Sequence, residues 1–138
     1  MGDIRNFKDL IAWQKSFELC KRVYAMTQSF PRDELFGLSL QLKRAAVSVA
    51  ANIAEGWGRG YLNDYVRFLR TARGSACELE TEVLVARDLG YATAKVCSDV
   101  LGMIEESVRV LQGLISSLER LQDKKANSGA DSITQPEA

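Results

Sequence analysis

Glu78 and Glu82 stand one helical turn apart in this 138-residue chain, with Glu80 between them and Glu55 upstream. Carboxylates at that spacing can seat a cation or share general acid and base work. The chain has no histidine, which removes the common Ser-His and Cys-His nucleophile pairs, HExxH zinc sites and Glu-x-x-His di-iron motifs. With no further acidic groups at matching positions, the glutamates read as solvated or hydrogen-bonded, and no catalytic residue, metal or cofactor is expected. Cys20, Cys77 and Cys97 form neither a CxxC pair nor an even set, the pattern of thiols in a reducing compartment. Cys20 and Cys97 read as small buried hydrophobes and Cys77 as a thiol on a more polar side. The run Gly56-Trp57-Gly58-Arg59-Gly60 lacks both the preceding strand of a dinucleotide fingerprint and the GK[ST] of a phosphate loop, so it reads as a helix-ending turn.

Two polar groupings remain. Ser48, Asn52 and Glu55 share one side of a helix, and Ser75 and Glu78 lie three apart on another, beside Gly74. Buried polar groups must find partners, so these five residues are expected to form a hydrogen-bonded seam, with Gly74 admitting a neighbouring helix. The second grouping is basic. Arg67, Arg70 and Arg73 are expected on the side opposite Phe68 and Leu79, with Arg59 just before them and Lys43 and Arg44 near enough to join. Such a face serves either solubility or phosphate contact. Trp13, Tyr65 and Phe68 fall on core stripes and read as packing rather than base-stacking platforms; Trp57 is ambiguous.

The elements that must carry these residues are helices. Leu10, Trp13, Phe17, Cys20 and Tyr24 follow steps of three and four and predict a first helix over about 8–29, ended by Pro31. Leu35, Leu38, Leu42, Ala45, Val49 and Ile53 predict a second over about 34–57, capped by Asp33 and stopped by the glycines. Tyr65, Phe68, Ala72, Ser75, Leu79, Ala86 and Leu89 predict a third over about 62–89, closed by Gly90. Thr93 caps a fourth over about 94–121, with Cys97, Val100, Ile104, Val108, Leu111, Ile115 and Leu118 inward. Residues 1–121 then form one all-α domain, an antiparallel up-down-up-down four-helix bundle; 122–138, polar and poor in apolar residues, read as a disordered tail.

A second apolar stripe runs along two helices: Phe36, Leu40, Val47, Ala51 and Ala54 on the second, Met103, Val110, Leu114 and Leu121 on the fourth. Either the core face is wide, or these residues bury between subunits of a homo-oligomer, the reading preferred here. Lys plus Arg and Asp plus Glu balance at 18 each, yet residues 1–75 hold 12 basic and 7 acidic groups and the remainder 6 and 11. The molecule is therefore electrically polar. Charges occupy the N-terminus and no run of apolar residues spans a membrane, so the expectation is a cytoplasmic protein without a membrane partner.

Several short motifs carry a resemblance. They are Phe7-Lys8-Asp9-Leu10 with Trp13-Gln14, Phe30-Pro31 with Glu34 and Gly37-Leu38, and Gln41-Leu42-Lys43-Arg44-Ala45. Further on come Ser48 with Asn52-Ile53-Ala54-Glu55-Gly56, then Ala72 with Gly74-Ser75, Glu78-Leu79 and Leu89-Gly90-Tyr91. In this order they resemble the four-helix bundle proteins encoded by intervening sequences in bacterial 23S rRNA genes, and more distantly the accessory proteins of diversity-generating retroelements. The chain departs from the usual pattern where Gly60-Tyr61 precede Asn63-Asp64, in place of a small polar cap. The resemblance implies a non-enzymatic bundle that closes into a homo-oligomeric ring, a pentamer; the distantly similar accessory proteins engage nucleic acid, and with the basic residues above the expected partner is RNA or DNA. The competing reading is a scaffold that binds a protein partner.

Overall fold

The computed structural model describes residues 3–128. Four helices make up nearly all of it: α1 (Ile11–Thr27), α2 (Leu38–Arg59), α3 (Leu62–Asp88) and α4 (Ala94–Ser128). Each helix packs on its two neighbours in the cyclic order α1, α2, α3, α4, so that α1 stands across the core from α3 and α2 from α4. Side-chain pairs fix the antiparallel register. Lys15 meets Glu106 and Arg22 lies 3.6 Å from Asp99 between α1 and α4; the Ser48 and Ser75 hydroxyls are 2.7 Å apart between α2 and α3; Arg70 meets Glu119 between α3 and α4. The up-down-up-down bundle is thus what the four apolar periodicities require.

The helix ends depart from the sequence expectation for local reasons. Residues 7–9 form a separate 3-10 turn, because Asn6 accepts from the Lys8 amide at 2.8 Å while the Asp9 carboxylate accepts from the amides of Arg5 and Asn6. Extended Leu10 then lets α1 begin at Ile11. Arg32–Glu34 is a second 3-10 turn, so α2 starts at Leu38, not at 34. Its N-cap position is Gly37, not Asp33, and the first amide is met from outside the helix: Glu34 Oε1 accepts from the Leu38 amide at 3.2 Å, and its other oxygen accepts from Tyr91 at 2.8 Å. Thr93 does cap α4, accepting from the Val96 amide at 3.2 Å.

Two glycines of the run after Glu55 lie inside α2, which continues to Arg59 and stops at Gly60, where φ is +78°. Gly56 is needed for packing. A Cβ there would stand 2.8 Å from the Phe68 Cβ, so this is the point of close approach between α2 and α3. Gly74, expected to play that part, faces open space. α3 begins after Tyr61 without a side-chain cap, in keeping with the missing small polar residue.

The bundle core has two parts, one around Val49, Ile53, Tyr65, Leu69 and Ile115, the other around Leu19, Leu42, Leu79, Cys97 and Val100. α1 is rotated from its expected face. It buries Ala12, Ser16, Leu19, Val23 and Met26, while Phe17 and Tyr24 remain 42% and 44% exposed. Ser16 satisfies its hydroxyl on the Ala12 carbonyl at 2.8 Å and so can be buried among apolar neighbours, while the larger aromatics stack along the rim, with Trp13 and Phe17 centroids 4.7 Å apart. Leu35 and Leu89, placed on core stripes by periodicity, are exposed at helix ends.

α4 continues seven residues beyond Leu121 into the segment read as tail. Leu121 packs on the core and Gln122 donates to Asn63 at 2.9 Å, and a helix already nucleated extends at little cost per residue. Residues 129–138 of that segment lie outside the described residues.

Candidate nucleic-acid interface

The six basic residues do not form one face. The two-residue connection Gly60-Tyr61 brings the last turn of α2 against the second turn of α3. There the Arg59 and Arg67 guanidinium carbons lie 5.0 and 4.5 Å from the Phe68 ring centroid. Phe68 is half-buried and framed by two cations, a different environment from the core position its periodicity suggests. Arg67 therefore does not point away from Phe68. The missed partner was legible in one respect: a turn of two residues obliges position 59 to meet the second turn of the next helix.

Carboxylates temper this surface. Arg59 lies 3.5 Å from Glu55, Arg67 3.4 Å from Asp64, and Arg70 is drawn toward α4 by Glu119. Arg73 and Arg44 have no carboxylate within ion-pair distance among the described residues. Lys43 lies on the other side of α2, its ammonium 5.2 Å from the Tyr24 ring of α1. The compact cationic grouping is Arg59 and Arg67 around Phe68, with Arg70 and Arg73 further along α3.

The polar seam contains three of its five expected members. Asn52 donates to the Ser48 carbonyl at 2.8 Å and to its hydroxyl at 2.9 Å, and Ser48 meets Ser75 across the helix boundary. Glu55 turns to Arg59 instead. Glu78 is exposed and lies beside Glu82, one turn on. Glu82 itself is only 7% exposed and its Oε1 has no partner among the described residues. Burial, and then the neighbouring Glu78 charge and hydrogen bond, push its pKa up to about 7. Tyr65, buried edge-on to Trp57 with centroids 6.1 Å apart, also leaves its hydroxyl without a partner among the described residues, and burial raises its pKa. Trp57 is accordingly a packing residue.

The second apolar stripes fare differently on the two helices. On α4, Leu114 is buried in the core and Met103, Val110 and Leu121 pack partly against it, so this stripe is the flank of a wide core face. Of the other stripe, Phe36 falls in the turn before α2 rather than on the helix and is 86% exposed, while on α2 itself Val47 and Ala51 are exposed and Leu40 and Ala54 are half-covered. Among the described residues this stripe is the one left largely uncovered. Cys77 is exposed, Cys20 half-buried and Cys97 buried, with burial pushing the last two thiols up. Among the described residues no helix is long and apolar enough to cross a membrane, and no group of three or more acidic or cysteine side chains is placed to hold a metal ion.

The model of the 23S rRNA-intervening sequence protein family matches residues 8–113. The chain belongs to this family. The match takes in the first three helices and much of α4, including the Arg59–Phe68–Arg67 grouping and the seam. Among solved structures, a protein of unknown function from the S23 ribosomal protein family of Bacteroides thetaiotaomicron is similar, at a TM-score of 0.71 and 23% identity over 76% of this chain and 98% of its own. That likeness is one of fold. No curated protein matches the chain.

Proposed function

We propose that this family member is a non-enzymatic, homo-oligomeric bundle that associates with nucleic acid, RNA above all, through the end where α2 turns into α3. The observation that carries the reading is the pair of guanidinium groups held on Phe68. Planar cations fixed against a ring suit phosphate contact, and their carboxylate partners are surface pairs of small worth that a phosphate can displace. Arg70 and Arg73 extend the contact along α3, Arg44 contributes less, and Lys43, on the other side of α2 against Tyr24, lies apart from it. Oligomerisation, as a pentamer by resemblance, is supported by the exposed Val47 and Ala51 on α2 and Phe36 in the turn before it. Repeating the cationic grouping in each subunit offsets the zero net charge of the chain.

The test is fluorescence anisotropy of labelled RNA and DNA with nuclease-treated protein at about 50 and 200 mM salt, where even two phosphate contacts per assembly cost roughly tenfold in affinity. Arg59→Glu with Arg67→Glu is expected to abolish binding, and Arg70→Gln to weaken it less. Unchanged affinity in the double variant refutes the site. Absence of binding at low salt favours the second reading, a protein scaffold, which rests on Leu35, Phe36, Val85 and Leu89 exposed at the opposite end of the α2–α3 hairpin.

A further inference from the structure

A cleft of about 380 Å³ lies away from the α3 arginines, between the C-terminal turns of α1, the connecting segment and the first turns of α2. Its lining includes Tyr24, Thr27, Arg32, Leu35, Ser39 and Lys43. Three features set it apart. Arg32 and Lys43 bring two cations with no carboxylate within ion-pair distance among the described residues. Lys43 is held at the rim by its 5.2 Å contact with the Tyr24 ring. Ser39 is only 4% exposed, lines the cleft, and its hydroxyl makes no hydrogen bond among the described residues.

The Ser39 hydroxyl opens onto the cleft rather than being sealed in the core, so it is free to donate to a ligand there, whereas nearby Thr27 has already committed its own to the Tyr24 carbonyl at 2.8 Å. Ser39 also stands in the first turn of α2, where backbone amides lack helical acceptors; Glu34 takes that of Leu38, leaving those of Ser39 and Leu40. The positive end of the helix dipole thus borders the cleft. Glu34 is engaged by Leu38 and Tyr91, so the acidic group opposing an anion here is Asp33, exposed and outside the lining. The neighbouring groove between Met26 and Tyr91 lacks this combination, since its cation, Arg22, is 3.6 Å from Asp99.

We propose that this cleft binds a phosphate monoester. Ser39 would donate its hydroxyl to one phosphate oxygen, Lys43 and Arg32 would balance the two negative charges, and the remaining volume, bordered by Tyr24 and Leu35, would take the organic half. This site is separate from the Arg59–Phe68–Arg67 grouping and does not depend on it.

The experiment is isothermal titration calorimetry of the full chain with four ligands: inorganic phosphate, a 5′-mononucleotide, and one RNA oligonucleotide bearing either a 5′-phosphate or a 5′-hydroxyl. Saturable binding of the mononucleotide is expected, weakened about tenfold or more by Lys43→Met and by Arg32→Gln, and about tenfold by the milder Ser39→Ala. Circular dichroism melts show whether each variant folds. The Arg59→Glu, Arg67→Glu variant is expected to bind the mononucleotide as the parent does, which separates this site from the proposed nucleic-acid face. Phosphate binding as tightly as the nucleotide supports the site with a free anion as ligand, and preference for the 5′-phosphorylated oligonucleotide supports it with an RNA end. No heat from phosphate or nucleotide at roughly 10 mM, or binding indifferent to Ser39→Ala and Lys43→Met, overturns the proposal.

Discussion

Replacing Glu82 by glutamine should make the bundle more stable at alkaline pH and leave it nearly unchanged at acid pH. Folding encloses this carboxyl to 7% exposure, strands Oε1 and sets Glu78 one turn away, so the protonated form is favoured and the pKa rises from 4.5 to about 7. An acid whose pKa is higher folded than unfolded binds more protons in the native state, and stability then falls as pH rises. Below about pH 4.5 the group is protonated in both states and costs nothing through this route. The penalty grows between about pH 4.5 and 7 and is complete above it, reaching at most about 3 kcal/mol. Glutamine keeps the shape and cannot ionise. Thermal melts by circular dichroism from pH 4 to 8.5 should therefore show the parent losing stability across that window and Glu82→Gln losing less. At roughly 4 °C per kcal/mol for a chain of this size, the gap at pH 8 should reach up to about 12 °C. Parallel curves for the two proteins would refute the argument that the fold holds this carboxyl in its neutral form.

Two further outcomes follow from packing and exposure. Gly56→Ala should destabilise by about 1–3 kcal/mol, because the new Cβ meets the Phe68 Cβ at 2.8 Å, whereas Gly58→Ala, in open space in the same helix, should stabilise by about 0.5–1 kcal/mol; urea unfolding of the pair checks the opposite signs. Among the three thiols, exposed Cys77 should react first with Ellman's reagent and buried Cys97 only on unfolding, so that Cys77→Ser removes the fast phase.

Much of the candidate site was legible in residue spacing, and some of it was not. Ser48, Asn52 and Ser75 meet because steps of three and four put them on facing sides of adjacent helices, and hydroxyls enclosed there must pair. Glu55 and Glu78 share that spacing and yet leave the seam, since a surface carboxylate has solvent or a nearby arginine to turn to. The arginines at 67, 70 and 73 look like a row, but steps of three drift around a helix, and Glu119 and Phe68 draw Arg70 and Arg67 to different flanks.

The amino-acid sequence alone determined that there are four helices, that short connections make them antiparallel neighbours, and that Thr93 and Gly90 mark the passage into α4, because periodicity, caps and left-handed glycines act within a few residues. Only the tertiary structure decided which face of α1 is buried, that Gly56 and not Gly74 is the point of close approach, that Glu82 is enclosed while Phe36 is not, and that Ser39 opens into a cleft between two cations. These outcomes depend on how each helix is rotated against the others. That rotation is settled by the fit of side-chain volumes across the interior, a relation among residues far apart in the chain that no local pattern contains.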